Sequence, residues 1–330
     1  MTTRDRERVL ELVGYHGWNA TAFQTLETGY SYFFHGGEAA VAYVDTGQAW
    51  VAAGAPICAD ELLAKAGSAF AAAAREAGRR CCFFATEERL RQAAGDSLRS
   101  LCIGEQPVWD PREWPAILER AASLREQLRR ARAKGVEVRA LSASELESQG
   151  VRERLARVTQ RWHGRRALAP MGFLVQVEPF TFPAYRRSFV AERRGEIVGF
   201  AALIPVPARN GWFLEDLVRD PRAPNGTNEC LVDAAMRSAL ADGSSWFTLG
   251  LAPLAGEVHG ALRFARAATR LLYDFEGLAL FKAKLRPQGW TPIYLSFPPS
   301  QGTLVSIGDA LVAFTGGGVL RFGWRSLTRR

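Results

Sequence analysis

Leu214-Glu215-Asp216-Leu217-Val218-Arg219 is an apolar run that ends on two acids and an arginine. Leu249-Gly250-Leu251-Ala252-Pro253-Leu254 is a second apolar run, broken by glycine and proline. Each has the length and composition of a buried strand, and residues 228–241 between them have helical periodicity. Strand, helix and strand in that order make an α/β unit. Charge at the strand ends marks a cleft at the open edge of the sheet.

Upstream of this unit, residues 188–192, 197–206 and 212–218 are three consecutive strand runs, with turns at Arg194-Gly195 and Arg209-Asn210-Gly211. Before them, Ser142 and Glu145 have capping-box spacing at the start of a helix over 144–162, and a strand is expected near Phe173. Downstream come a helix over 261–272 and a strand over 292–297. The beginning of the chain follows the same plan. A helix at 6–15 precedes strand runs at 30–34, 39–44 and 49–53, separated by Gly36-Gly37 and Asp45-Thr46-Gly47. An Ala-rich helix (60–77), a strand (80–85), a helix (87–94) and a strand (98–108) follow, and Trp109-Asp110-Pro111 stops the last. This repeated order predicts an α/β (α+β) fold of tandem acetyltransferase-like (GNAT-like) domains joined by a basic helix. The expected division is 1–118, a connecting helix at 119–135, a catalytic domain at 136–300 and a basic amphipathic tail at 301–330.

The connecting helix concentrates charge. Residues 119–139 hold seven basic and three acidic side chains, and Leu124, Leu128 and Ala131 share one helical face beside a stripe of Arg125, Arg129 and Arg132. With a formal net charge of +8 for the chain, the functional reading is an anionic partner and the plain reading a solvated helix face. An apolar content of 48% with 23% charged residues excludes a disordered or fibrous chain. Cys58, Cys81, Cys82, Cys102 and Cys230 are odd in number and lack a CxxC spacing, which fits reduced thiols in a cytoplasmic protein and neither a disulfide framework nor a zinc site. The first ten residues are charged, so a secretory signal is not expected. No run approaches the roughly 20 apolar residues that span a bilayer. His16, His35 and His259 have no partner spacing and read as structural, so neither a metal nor a covalent intermediate is expected.

An acetyltransferase cleft ordinarily holds the pyrophosphate of coenzyme A on a glycine-rich loop that opens a helix. The equivalent loop here is Arg222-Ala223-Pro224-Asn225-Gly226-Thr227, with one glycine, displaced, and a proline that removes a donor N–H. Acetyl-CoA is therefore not expected, and no cofactor is assigned.

Several segments, in order, resemble the cytosolic C-terminal domain of the phosphatidylglycerol lysyltransferases and alanyltransferases (the DUF2156 type). They are residues 214–219, Pro224-Asn225-Gly226-Thr227-Asn228-Glu229, residues 249–254, Leu272-Tyr273-Asp274-Phe275-Glu276-Gly277-Leu278, and Phe281-Lys282-Ala283-Lys284-Leu285-Arg286-Pro287 with Trp290 and Tyr294. Upstream, Trp162, Pro170-Met171-Gly172-Phe173-Leu174 and Arg130-Ala131-Arg132-Ala133-Lys134-Gly135 continue the likeness, which runs from about residue 23 to residue 297. Gly54-Ala55-Pro56 departs from the family's Gly-Asp-Pro. The resemblance implies two acetyltransferase-like domains joined by a positively charged helix. It also implies transfer of an aminoacyl group from aminoacyl-tRNA to the hydroxyl of phosphatidylglycerol or a similar amphiphile, without metal or CoA. The alternative is a non-catalytic module that binds tRNA or an anionic membrane. The expected location is cytoplasmic, with peripheral contact at the inner face of the cell membrane.

Ester exchange needs a group for the α-ammonium, a proton carrier and a cation for the developing oxyanion. Asp216, matching the family's D-x-x-R, is expected to serve the ammonium or the proton, with Arg219 binding phosphate or orienting it. Glu215 would lie on the opposite face of a regular strand. Of the 42 basic residues only four are lysines, so Lys282 and Lys284 are candidates for phosphate or the oxyanion. The catalytic set is Asp216, Arg219 and Lys282, and the substrate-binding set is Glu215, Lys284, Tyr273 and Asn225. Arg125, Arg129, Arg130, Arg132 and Lys134 are the tRNA-phosphate candidates. Trp162, His163, Arg165 and Arg166 are candidates for the tRNA acceptor end. In the tail, Leu304, Ile307, Leu311 and Phe314 have helical periodicity ahead of Arg321, Arg325, Arg329 and Arg330, as in an interfacial anchor on anionic lipid.

Overall fold

The computed structural model describes residues 2–164, 173–175, 177–253 and 275–315. Thr3–His16 forms α1, opened by a reciprocal capping box between Thr2 and Asp5. Ser31–His35 (β1), Ala39–Asp45 (β2) and Ala49–Ala53 (β3) are an antiparallel meander reversed at glycine-bearing turns. Leu63–Glu76 (α2) then crosses to Arg80–Thr86 (β4), which runs parallel to β3. Glu88–Ala94 (α3) leads to Arg99–Trp109 (β5). The short Trp114–Arg120 helix (α4), not expected from the sequence, precedes the basic helix Ala122–Ala133 (α5).

The later part repeats the order. Glu137–Leu141 (β6), Ala143–Glu147 (α6) and Gln149–Gly164 (α7) come first. Arg187–Arg193 (β7), Glu196–Val206 (β8) and Gly211–Arg219 (β9) are the second meander. Thr227–Ala241 (α8) crosses to Trp246–Thr248 (β10), parallel to β9. Ala252–Pro253 (β11), Phe275–Lys284 (α9), Gly289–Phe297 (β12) and Thr303–Phe314 (α10) end the described chain.

Local expectations change at three places. The helix expected over 144–162 divides at Ser148, whose extended backbone ends α6. Phe173–Val175 is a 3-10 turn and not a strand, and Phe173 takes φ +51°. The apolar run that begins at Leu249 is not one strand: β10 stops before it, at Thr248, and Gly250 turns the chain at φ +68°. Lys282 and Lys284 lie at the end of α9. The helix expected over 261–272 lies outside the described residues.

The strands form one twelve-stranded sheet in the order β1-β2-β3-β4-β12-β5-β10-β9-β8-β7-β6, with β11 against β5. β12 is hydrogen-bonded antiparallel to both β4 and β5, so the last of the described strands lies between two early ones. Helices cover both faces. Next to β4, α2 packs Leu63, Ala66 and Phe70 against Phe83 on one face, while Ala310 and Ala313 of α10 join Cys82 and Leu295 on the other. Next to β8, α5 and α8 bury Leu124, Leu128, Leu231 and Met236 against Ala201 and Leu214. On the opposite face α7 sets Leu155 and Val158 against Phe200 and Val218. The five cysteines are free thiols.

Candidate active site

β9 is not a regular strand. Ala202 of β8 faces Asp216 and the next residue, Leu203, faces Leu214, so Glu215 is an extra residue without an opposite number. Such a bulge re-aims side chains. Leu214 and Leu217 pack with α8, whereas Phe213 and Val218 belong to cores on the other face. The bulge therefore brings Glu215 and Asp216 into one neighbourhood, and the expectation that alternation would separate them fails.

That neighbourhood is a buried charge cluster assembled from distant segments. Arg186, whose side chain is fully buried, donates to Glu215 Oε2, to Glu27 Oε1 at 2.9 Å and to the Thr181 carbonyl at 2.6 Å. Glu178 accepts from Thr28 at 3.1 Å, and the Tyr30 hydroxyl stands within the field of Glu27, Glu215 and Glu178. Arg186 thus bonds two carboxylates, Glu27 and Glu215, with Asp216 in its field and the half-buried Glu178 acting on Glu27 and Asp216. Burial, reinforced by Glu215, raises the Asp216 carboxyl well above the usual carboxylate range. The same two causes push Glu27 up to about 10, against the pull of Arg186. Three polar atoms here are buried without a hydrogen-bond partner: Glu215 Oε1, Asp216 Oδ2 and Tyr30 Oη. Each orphaned buried polar atom costs about 1–3 kcal/mol, so native structures keep few. An excess of buried acceptors is chemically suited to a cation with N–H donors. The acids are arrayed around Arg186, and among the described residues no three His, Cys, Asp or Glu side chains are placed to hold a metal ion.

The other sequence candidates gather elsewhere. Arg219 turns to the loop before α8, donating to the Pro224 carbonyl and the Asn225 side chain, each at 3.4 Å. It makes no ion pair with Asp216, whose Oδ2 has no partner. Lys284 reaches Glu229 Oε1 at 3.3 Å, and Gln127 of α5 donates to that same oxygen at 2.7 Å. A Cβ at Gly226, where φ is +96°, would stand 2.8 Å from the Gln127 carbonyl oxygen. The start of α8, where a pyrophosphate loop would lie, is therefore packed against α5. Lys282 is buried, and its Nζ donates to the carbonyls of Leu249, Gly250 and Leu251 at 2.8, 2.8 and 2.9 Å. Burial pulls its pKa down to about 7, and the three carbonyl oxygens work against that by favouring the ammonium. Its donors are all engaged in fixing the turn after β10, which leads to residues 254–274. Tyr273, Arg165 and Arg166 lie outside the described residues.

On α5, Arg129 and Arg130 both pair with Glu126, Arg132 pairs with the buried Asp233 at 2.7 Å, and Arg125 donates to the Leu118 carbonyl at 2.6 Å. Lys134 is exposed at the helix end, where its carbonyl accepts from Arg193. The sequence pointed to Asp216 and Glu215 but missed Glu27, Tyr30, Glu178 and Arg186. Their one sequence-level signal is polarity inside apolar surroundings, as at Glu27 after Phe23-Gln24-Thr25-Leu26.

Sheet and site together define a mixed α/β protein with a buried acidic cluster on β9. The sequence profile of the family described as "Phosphatidylglycerol lysyltransferase, C-terminal" matches residues 11–297. The chain belongs to that family. It is similar to the phosphatidylglycerol lysyltransferase of Bacillus subtilis (strain 168), 30% identical over 168 residues, covering 47% of this chain and 19% of that protein. The chain thus matches less than a fifth of that relative's length. Among solved structures it resembles a C-terminal DUF2156 domain from Agrobacterium fabrum (TM-score 0.82, 25% identity, 96% of this chain and 98% of that one). L-PGS from Bacillus licheniformis shares the fold (TM-score 0.80, 22% identity, 95% and 97% covered).

Proposed function

We propose that this chain is an aminoacyltransferase that moves a lysyl group from aminoacyl-tRNA to a hydroxyl of phosphatidylglycerol or a similar amphiphile. The observation that carries this reading is the Glu27, Glu178, Glu215 and Asp216 cluster with its unpartnered carboxylate oxygens. A lysyl ester brings two ammonium groups, and a site with one guanidinium for four acids is complementary to them. Asp216 carries a proton while the site is empty and gives it up when an ammonium arrives. It is then an anion beside the reacting ester, able to accept the proton of the attacking hydroxyl and to return it to the ribose oxygen of the tRNA as the old ester bond breaks. Arg186 holds Glu27 and Glu215 in place, so the acids are fixed before substrate enters. In this reading two acetyltransferase-like domains flank α5, and its outer arginines exchange Glu126 for tRNA phosphate. Leu304, Val305 and Leu311 on the exposed side of α10 support peripheral contact with the lipid surface.

The test is transfer of label from lysyl-tRNA into the organic phase in the presence of phosphatidylglycerol vesicles. Label is expected with wild-type protein and is expected to fall sharply with Glu215→Gln. No transfer by well-folded wild type to any amphiphilic hydroxyl, or unchanged transfer by the variant, overturns the assignment.

A further inference from the structure

Eleven buried side-chain polar atoms of the described residues lack a hydrogen-bond partner. Three belong to the acidic cluster. Five others lie in a second neighbourhood, and they are of the opposite kind: Trp18 Nε1, Arg89 Nη1, Gln106 Nε2 and Arg209 Nε are N–H donors, and Thr21 Oγ1 is a hydroxyl. The Arg209 guanidinium lies 4.4 Å from the centre of the Trp18 ring, and Arg89 approaches the same ring at 5.4 Å. Trp246 covers Arg209 from another side at 4.5 Å. Glu87, which adjoins Gln106, is buried between them, its Oε2 taken by Arg209 and its Oε1 reached by Asn19 at 3.4 Å. Thr21 borders Asn19 at Gly54, where φ is +82° and a Cβ would stand 2.5 Å from Thr21 Oγ1. Gln106 is 1% exposed, while Trp18 and Thr21 are half-buried.

The surplus here is of N–H donors, and the carboxylate among them, Glu87, already accepts from Arg209 and from Asn19. An oxyanion presents several acceptor lone pairs on one centre and no hydrogen, and guanidinium forks match it in charge and geometry. We infer that the Trp18–Thr21–Arg89–Gln106–Arg209 cluster binds a phosphate oxyanion of the phosphodiester class, supplied by the headgroup of the lipid acceptor. The assignment of a lipid source rests on the proposed function; the oxyanion chemistry rests on the donors alone.

The experiment is calorimetric titration of the full chain, at matched ionic strength, with inorganic phosphate and with glycerophosphoglycerol, the deacylated headgroup. Wild type, Arg89→Gln, Gln106→Glu and the surface control Arg75→Gln, on the exposed side of α2, are compared after melting curves show that each is folded. The diester is expected to bind wild type and the control alike, and about tenfold or more weakly in Arg89→Gln and Gln106→Glu, the loss of a charge-assisted hydrogen bond. Equal binding by all four proteins, no binding by wild type, or binding of inorganic phosphate without the diester overturns the proposal. No aminoacyl-tRNA is present, so absence of transferase activity leaves this result intact, and absence of anion binding leaves the transfer assay intact.

Discussion

Two buried clusters in this molecule have the same skeleton and opposite surpluses. Around Arg186, one guanidinium bonds two carboxylates beside a third, Asp216, and the atoms left over are acceptors, with one tyrosine hydroxyl. Around Glu87, one carboxylate serves guanidinium and amide neighbours, and the atoms left over are donors, with one threonine hydroxyl. Both draw on the 17–30 loop, Trp18 to Thr21 for one and Glu27 to Tyr30 for the other, and the arginine that pairs with their glutamates, Arg209 or Arg186, comes from the later part of the chain. The difference teaches that a buried ion pair can be an anchor. Its charges hold each other, and the groups beside it are left to meet a ligand.

The largest expected effect tests the acidic side. Asp216→Asn removes the group that must accept both a cation and a proton, so lysyl transfer should fall by about 10²–10⁴-fold while the melting temperature holds or rises. Retained transfer would move the chemistry away from β9. Next are the two anchors. Arg186→Met strands Glu27 and Glu215, and Arg209→Met strands Glu87; each should cost about 3–5 kcal/mol in denaturant unfolding. A much smaller loss at one would show that its cluster is wetter than its burial implies.

A pH series separates the clusters further. Glu27 is raised in the folded chain from 4.5 to about 10, so between those values the folded state holds a proton that the unfolded chain gives up. Stability should decline as pH rises through that window, and Glu27→Gln should flatten the decline. A cationic ligand should reverse it, binding more tightly as pH rises because it displaces protons from the acids. The smallest effect belongs to the surface. Arg129→Gln with Arg130→Gln should leave the denaturation midpoint almost unchanged, since their pairs with Glu126 are exposed. The same double variant should lower the salt dependence of tRNA binding, which filter binding across a salt series would read.

The strands and their order within each meander were legible because turns such as Gly36-Gly37 and Arg194-Gly195 punctuate them. Asp216 was legible as a charge on an apolar run. Its relation to Glu215 was misread, since period-two alternation assumes a regular strand and a bulge leaves no composition mark. Glu27 and Arg186 lie 159 residues apart, and no local pattern reports a contact at that distance. Lysine scarcity singled out Lys282. Its three carbonyl partners, at 249–251, are backbone atoms, which carry no side-chain signature at all.

The position of β12 has a consequence for how the protein is made. β4 and β5 are not hydrogen-bond neighbours; each pairs with residues 289–297, which leave the ribosome about 180 residues after β5. During synthesis, two early strands must wait with facing edges unpaired, and contacts of such long separation form slowly. The nascent protein therefore depends on whatever shields those edges, and a message broken shortly before the codon for Gly289 leaves β4 and β5 as unfinished as the end of the chain.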